Sequence, residues 1–358
     1  MKIIKVLLLV FLSFVPFSSF VYSAEEEMIK GTIKEVVYDN CGGISEIEDL
    51  ECVSYEIQLV NGDTVSTSPT MVNNPGDVFR KGSKVYVSKG IDFDGSSDIW
   101  NVQSYSNENA LLVLSLVFIL LIFIITGSTG LRSTLGLIIS FLVMYLFTIP
   151  QLLNGSNIVL ISLFSIFFLL CASTFITYGF NMKSLIAFIS TTIGIGVIFL
   201  LGSAVISLLG ISGSGEESSA MLYEATGGVF NLSDIFLLSI VIGSLGVLDD
   251  VTIGQTSSIM EMYGMNKGLD WKQVYIKSMN IGKDHISSMV NTLFIAYAGS
   301  SFTLVMLIYA NNPDWRMLLN TGFVTEEIVR TLVASIGLVL VVPVTSFLAS
   351  KMVVRFLN

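Results

Sequence analysis

A polytopic α-helical membrane protein with a small N-terminal β domain is the fold class this sequence predicts. Three observations point there. The chain is 53% hydrophobic and only 13% charged, with a mean hydropathy of +0.77, well outside the soluble globular range. Apolar stretches long enough to cross ~30 Å of hydrocarbon recur along it. The formal charge of −10 is confined to one segment: residues 25–108 hold 16 acidic and 6 basic residues, and the remainder holds 12 of each. An acidic segment of this kind gives no support to nucleic-acid binding.

Taken in order, residues 1–23 read as a secretory signal. Lys2 and Lys5 precede an apolar core from Val6 to Val15, and Val21 and Ser23 suit cleavage before Ala24. Residues 24–108 are expected to form an extracytoplasmic β domain. Short β-rich runs, Gly31–Tyr38, Val53–Leu59, Thr64–Ser68, Lys84–Val87 and Ile99–Tyr105, alternate with turn signals such as Asn61-Gly62-Asp63, Asn74-Pro75-Gly76 and Asp94-Gly95. Five strands in so short a segment predict an OB-like barrel, read as a surface for a protein partner. Cys41 and Cys52 flank an acidic loop there, so a disulfide between them is one of two open possibilities. Cys171 falls in a span and reads as a small apolar residue.

Residues 109–358 carry seven expected spans: Ala110–Thr126, Leu135–Ile149, Asn157–Thr177, Leu185–Leu209, Ile235–Gln255, Ile286–Ala310 and Ile328–Ala349. With the β domain outside, Arg132, Lys183, Lys267, Lys272, Lys277, Lys283, Lys351 and Arg355 fall inside, and only Arg316 and Arg330 fall outside. The positive-inside rule therefore agrees with the signal sequence and puts the C-terminus in the cytoplasm of a cell-membrane protein. Between the fifth and sixth spans, residues 261–283 are too polar to cross. Trp271, Val274, Tyr275 and Met279 share a helical face there, which predicts an amphipathic segment held on the inner leaflet by lysines and anionic lipid.

Chemistry is expected where the fifth span carries Asp249 and Asp250 side by side. Burying one carboxylate near a bilayer centre costs ~2.5–3.5 kcal/mol, and a plain anchor would not carry two. Adjacent carboxylates discourage each other's ionisation, and low dielectric adds to this, which suits reversible protonation. Ser239, Gly243, Gly246, Asp250 and Gly254 recur at helical spacing, a small-residue stripe expected to admit a neighbouring backbone and to turn Asp250 toward protein. Asp249 lies about 100° round, above Thr252 and Thr256, with Gln255 closing the span. Asn291 on the sixth span is expected to reach Asp249, with His285 at the inner mouth as a proton relay. The competing bland reading makes the aspartates hydrogen-bonded locks and His285 an interfacial cap.

Some residues also carry a resemblance. Gly243-Ser-Leu-Gly-Val-Leu-Asp-Asp-Val-Thr-Ile-Gly-Gln255 and Gly282-Lys-Asp-His-Ile-Ser-Ser-Met-Val-Asn-Thr-Leu-Phe-Ile-Ala-Tyr-Ala-Gly299 resemble signatures of the YibE/F-like membrane proteins. Shorter echoes are Gly127-Ser-Thr-Gly-Leu-Arg132, Pro150-Gln-Leu-Leu-Asn-Gly155 and Tyr178-Gly-Phe-Asn-Met-Lys183. The resemblance implies a fold and no activity. One departure is Ser301-Phe302-Thr303, where the family tends to show a Leu-Pro pair, which puts a kink there in question. Gly-Val-Leu-Asp-Asp-Val also resembles the Asp-Asp helix of RND-type proton-driven exporters and related Sec accessory proteins, an analogy that favours proton coupling.

Two functional classes follow. One is a proton- or cation-coupled transporter or exporter. The other is a non-transporting assembly, sensing or export-accessory protein whose outer domain grips a partner. An enzyme is disfavoured: an aspartyl protease needs carboxylates facing one another about a water, and no nucleophile motif or phosphate loop occurs. A single histidine and no thiol cluster argue against a zinc site, and no cofactor is expected.

Overall fold

The computed structural model describes residues 28–39, 51–72, 78–91, 98–311 and 314–356. The expected signal sequence, Cys41 and the turns at Asn74-Pro75-Gly76 and Asp94-Gly95 lie outside the described residues. Compactness divides the chain near Ile122: the sheet and the first part of helix α1 form one unit, and the remaining helices form the other.

The first unit holds strands β1 (Met28–Asp39), β2 (Glu51–Leu59), β3 (Thr64–Ser66), β4 (Thr70–Val72), β5 (Lys84–Ile91) and β6 (Asp98–Tyr105). All pair antiparallel in the order β3-β2-β1-β5-β6, with β4 also on β2. The five expected strands are present and β4 is additional. Alternation decides the face: Ile33, Val53, Tyr55, Ile57, Leu59, Val85 and Val87 are buried together. The β2–β3 turn follows its sequence signal, because Gly62 sits at φ 95° and the Asn61 amide donates to Asp63 at 2.7 Å. The described ladders do not close the sheet into the expected barrel. A backbone hydrogen bond from Ser68 to the Trp100 carbonyl, 3.2 Å, links the stretch after β3 to β6. Cys52 is disulfide-bonded. At the start of α1 (Glu108–Thr126), Glu108 receives the Lys30 ammonium and the Tyr86 and Ser106 hydroxyls, which ties the sheet to the helix.

The second unit continues with α2 (Ser128–Leu153), α3 (Ile158–Ile176), α4 (Met182–Leu209), α5 (Glu217–Ala225), α6 (Leu232–Met265), α7 (Trp271–Ser300), α8 (Phe302–Asn311), α9 (Trp315–Leu319) and α10 (Gly322–Phe356). Among the described residues, six helices are long and apolar enough to cross a membrane, and a seventh crossing arises if α7 and α8 count as one bent span. Starts are set by side chains: Asn157, Asn181 and Asn231 each accept a backbone N–H in the first turn of α3, α4 and α6. Gly210, at φ 64°, ends α4 in the left-handed conformation that only glycine adopts without strain.

Two expectations are corrected here. Residues 261–283 do not form a separate amphipathic helix. α6 runs on to Met265, a short turn follows, and α7 starts at Trp271 under an Asp270–Gln273 capping box. The polar residues there extend two long helices beyond their apolar parts. The kink put in question at Ser301 is present without proline: α7 and α8 meet at 68°.

Packing centres on α4, α6 and α10, whose Ile198, Ile240, Leu248, Leu338 and Val342 are fully buried. Close approach comes from glycines of α4 and α10. A Cβ on Gly194 would stand 2.7 Å from Leu248 and 2.8 Å from Val341, and one on Gly337 would overlap Ile198. Gly337→Ala is therefore expected to displace a fully buried isoleucine at a cost of about 1–3 kcal/mol. Gly196→Ala, where a Cβ meets nothing within 4 Å, is the control. Thermal unfolding in detergent should separate the two, and equal midpoints would show that α4 and α10 are not in close contact.

Candidate functional site

The centre of α6 faces α3 where α3 changes its winding. Cys171–Ile176 is a π-helical segment, which inserts an extra residue into the turn and re-aims the side chains that follow; such segments recur at functional sites. Here it turns the Thr174 hydroxyl onto Asp249, with Oγ1 donating to Oδ1 at 2.8 Å. Asp249 is 6% exposed and Thr174 is fully buried. α2 comes close to the same segment at Gly136, where a Cβ would stand 3.0 Å from the Ala172 carbonyl oxygen and 3.1 Å from Thr177 Oγ1.

Between α2, α3 and α6 lies a cavity of about 320 Å³. Its polar wall is Ser133, Ser140, Ser173, Thr177, Tyr178, Asp249 and Asp250, and its apolar wall includes Phe141, Met144, Leu169 and Leu245. Tyr178, just past the π-helical segment of α3, completes the polar wall beside Asp249 and Asp250. The Lys183 ammonium lies 5.2 Å from its ring centroid. The donors are carboxylates and hydroxyls, a hard oxygen set suited to a proton or a hard cation rather than a soft metal. Among the described residues no three His, Cys, Asp or Glu side chains gather as a metal site.

The expected site residues fare unequally. Asp249 and Asp250 both line the cavity, but the buried partner is Asp249, and Asp250 is exposed. The small-residue stripe is not the packing face. A Cβ on Gly246 or Gly254 would meet nothing within 4 Å, one on Gly243 meets the Tyr297 hydroxyl at 3.3 Å, and the Ser239 hydroxyl bonds back to Phe236. α6 packs instead through Leu237, Ile240, Ser244, Leu248, Thr252, Gln255 and Ile259, which lie roughly 145° round the helix from the stripe, nearly on its opposite side. Thr252 is fully buried; its hydroxyl donates to the Asp249 carbonyl at 3.0 Å and meets Thr191 at 2.8 Å. Gln255 is fully buried as well, with Nε2 donating to the Ser278 carbonyl at 2.8 Å and to Ser346 Oγ at 2.9 Å, so one side chain joins α6 to α7 and α10.

Asn291 matches Asp249 in height and not in direction. Gly243 faces Tyr297 across the α6–α7 pair, and stepping six residues from each reaches Asp249 and Asn291. Yet Asn291 is exposed, and no hydrogen bond joins it to either aspartate among the described residues. His285 is half-buried on α7 and likewise makes none with them. Cysteines at 243 and 297 are expected to crosslink with a short reagent, and cysteines at 249 and 291 are not. The reverse result would place α7 on another face of α6.

Sequence reasoning missed three groups. Thr174 acquires its role from the π turn. Tyr178 lay in a quoted motif without a role. Arg330 enters the sequence reading only as an outer charge, and its neighbour Glu326 carries no role there. Glu326 is 3% exposed and accepts the Gly215 N–H at 3.0 Å, while Arg330 pairs with Glu216 at 2.8 Å, and together they fasten the α4–α5 connection to α10. The signal available for them was the run of glycines and acids at 213–217 opposite a lone basic residue.

Neither a curated protein nor a solved structure matches the chain. Residues 114–355, which take in α2, α3 and α6 and with them the whole cavity, match the family model described as YibE/F-like protein, and the chain belongs to that family.

Proposed function

We propose that this is a multi-pass plasma-membrane protein that couples movement of a proton or another hard cation to transport. Its sheet domain is outside, its C-terminus is cytoplasmic, and Asp249 and Asp250 are the coupling groups. The observation that carries the reading is the cavity in which both carboxylates face a wall of hydroxyls, in a helix otherwise apolar enough to span. Carboxylates inside a bundle that face a cavity commonly mark ion pathways. Asp249, held by Thr174, is the fixed member of the pair; Asp250, exposed at the cavity, is the member that exchanges with solvent. The donor hydroxyls stand in for the hydration shell of an entering ion.

The Thr174–Asp249 hydrogen bond also favours a second reading. There the buried carboxylate is a static lock between α3 and α6, and the chain is an export-accessory or assembly protein that grips a partner with its sheet. Purified protein in proteoliposomes with a pH-sensitive dye inside separates the two. Transport predicts dye responses under imposed proton or monovalent-cation gradients. Silence under all of them, in vesicles that hold a gradient, would leave the accessory reading.

A further inference from the structure

One end of the helical unit gathers the start of α4, the end of α6, the start of α7 and the end of α10 around Ile186, Ile259, Tyr263, Val274, Ala349 and Val353. On its surface stands Trp271, the first residue of α7. The Phe347 ring of α10 meets it edge-on, with centroids 6.0 Å apart. Two ammonium groups flank the indole. Lys272 Nζ lies 5.8 Å from its centroid, and Lys351 Nζ lies 5.3 Å from it and 4.5 Å from the Phe347 centroid.

What these lysines do not touch matters as much. Among the described residues, neither is within ion-pair distance of a carboxylate. The acid nearest in sequence, Asp270, is spent as a helix cap, accepting the Gln273 N–H at 2.7 Å. Ammonium groups resting over ring faces keep their N–H donors free for an anion. Arg355 adds a third cation one turn beyond Lys351 on the same face of α10. Trp271 and Phe347 supply an apolar bed beside the charges, which an anion in bulk water does not need and the glycerol and upper acyl region of a lipid does.

We propose that Trp271, Lys272, Phe347 and Lys351 form a binding site for the phosphate headgroup of an anionic phospholipid at the junction of α7 and α10. This goes beyond the transport reading and rests only on the membrane topology that places this end at the inner leaflet. The lipid phosphate sits between the two ammonium groups, and its chains run along the aromatic pair. Because α7 also meets α6 through Gln255 and Ser278, an occupied site steadies the contact between α7 and α10 beside that junction.

The test uses the full-length protein with Trp271 as its sole tryptophan, through Trp100→Phe and Trp315→Phe, reconstituted in vesicles doped with brominated lipid. Bromine quenches indole fluorescence only at close range. Brominated phosphatidylglycerol is expected to quench Trp271 at lower mole fraction than brominated phosphatidylcholine, by roughly fivefold for each lysine engaged. Lys272→Gln and Lys351→Gln should remove that preference, Lys351→Arg should keep it, and Lys277→Gln, on another face of α7, should leave it in place. Equal quenching by the two lipids would overturn the proposal. So would a preference reduced as much by Lys277→Gln as by Lys351→Gln, since that is general charge attraction. Loss of the preference in millimolar inorganic phosphate would reassign the site to free phosphate and overturn the lipid assignment. None of these outcomes depends on ion flux, so the site and the transport reading fail separately.

Discussion

Asp249→Asn is expected to abolish cation-coupled flux in proteoliposomes while the protein still folds, and Asp249→Leu is expected to abolish flux and weaken the fold as well. Asparagine keeps an oxygen where Thr174 Oγ1 donates at 2.8 Å but cannot ionise. Leucine removes that acceptor and leaves a fully buried threonine hydroxyl without its partner, a cost of about 1–3 kcal/mol. Asp250 is exposed, so Asp250→Leu should leave the thermal midpoint close to that of the wild type. Asp250→Asn should reduce flux without abolishing the Asp249-dependent part. The small-residue stripe makes Asp250 the intolerant position; the packing of α6 moves that intolerance to Asp249. Wild-type flux in Asp249→Asn would sink the coupling role outright. A larger stability loss at 250 than at 249 would mean that α6 is turned about its axis from the arrangement described.

The contrast between the two aspartates shows where the sequence stops being legible. The apolar runs locate the apolar centre of every long helix of the second unit but not all of its ends, since α6 runs on to Met265 and α7 starts at Trp271, and turn chemistry locates five of the six described strands. The carboxylate pair is conspicuous because an apolar span should not contain it. Which carboxylate faces inward depends on rotation about the helix axis, and one residue is 100°. Gly243, Gly246 and Gly254 suggest a packing stripe, yet a glycine is equally at home where nothing approaches, as at Gly246 and Gly254. The glycines whose added Cβ would run into a neighbouring helix include Gly194 on α4, Gly282 on α7 and Gly337 on α10. Thr174 is invisible as a ligand until the π turn at Cys171–Ile176 re-aims it, and no residue type marks such a turn. The bend at Ser301 has no proline to announce it. The continuity of α7 from Trp271 through Asn291 is hidden because its first turns are polar and only its later ones are apolar.

Gln255→Leu is expected to cost the fold modestly and the function heavily. The side chain donates twice, to the Ser278 carbonyl of α7 and to Ser346 Oγ of α10. Each such bond contributes on the order of 1 kcal/mol net. Against this, Gln255 Oε1 is buried with no hydrogen-bond partner among the described residues, and leucine relieves that penalty. The net loss should therefore be about 1 kcal/mol rather than the several expected for breaking a satisfied network. On the proposed transport reading, a glutamine so placed fastens three helices without locking them, which suits a junction that rearranges. Thr252 lies one turn away, bonded both to Thr191 and to the Asp249 carbonyl, so movement at Gln255 reaches the site through continuous contacts. The measurement is a double-mutant cycle with Ser346→Ala, read by thermal unfolding and by flux. Coupling of about 0.5–1.5 kcal/mol in stability is expected, since the two residues share one hydrogen bond. Flux should fall to background in Gln255→Leu although the protein remains folded. Additive effects on stability together with undiminished flux would reduce Gln255 to a packing residue and confine the working part of the protein to the cavity at Asp249.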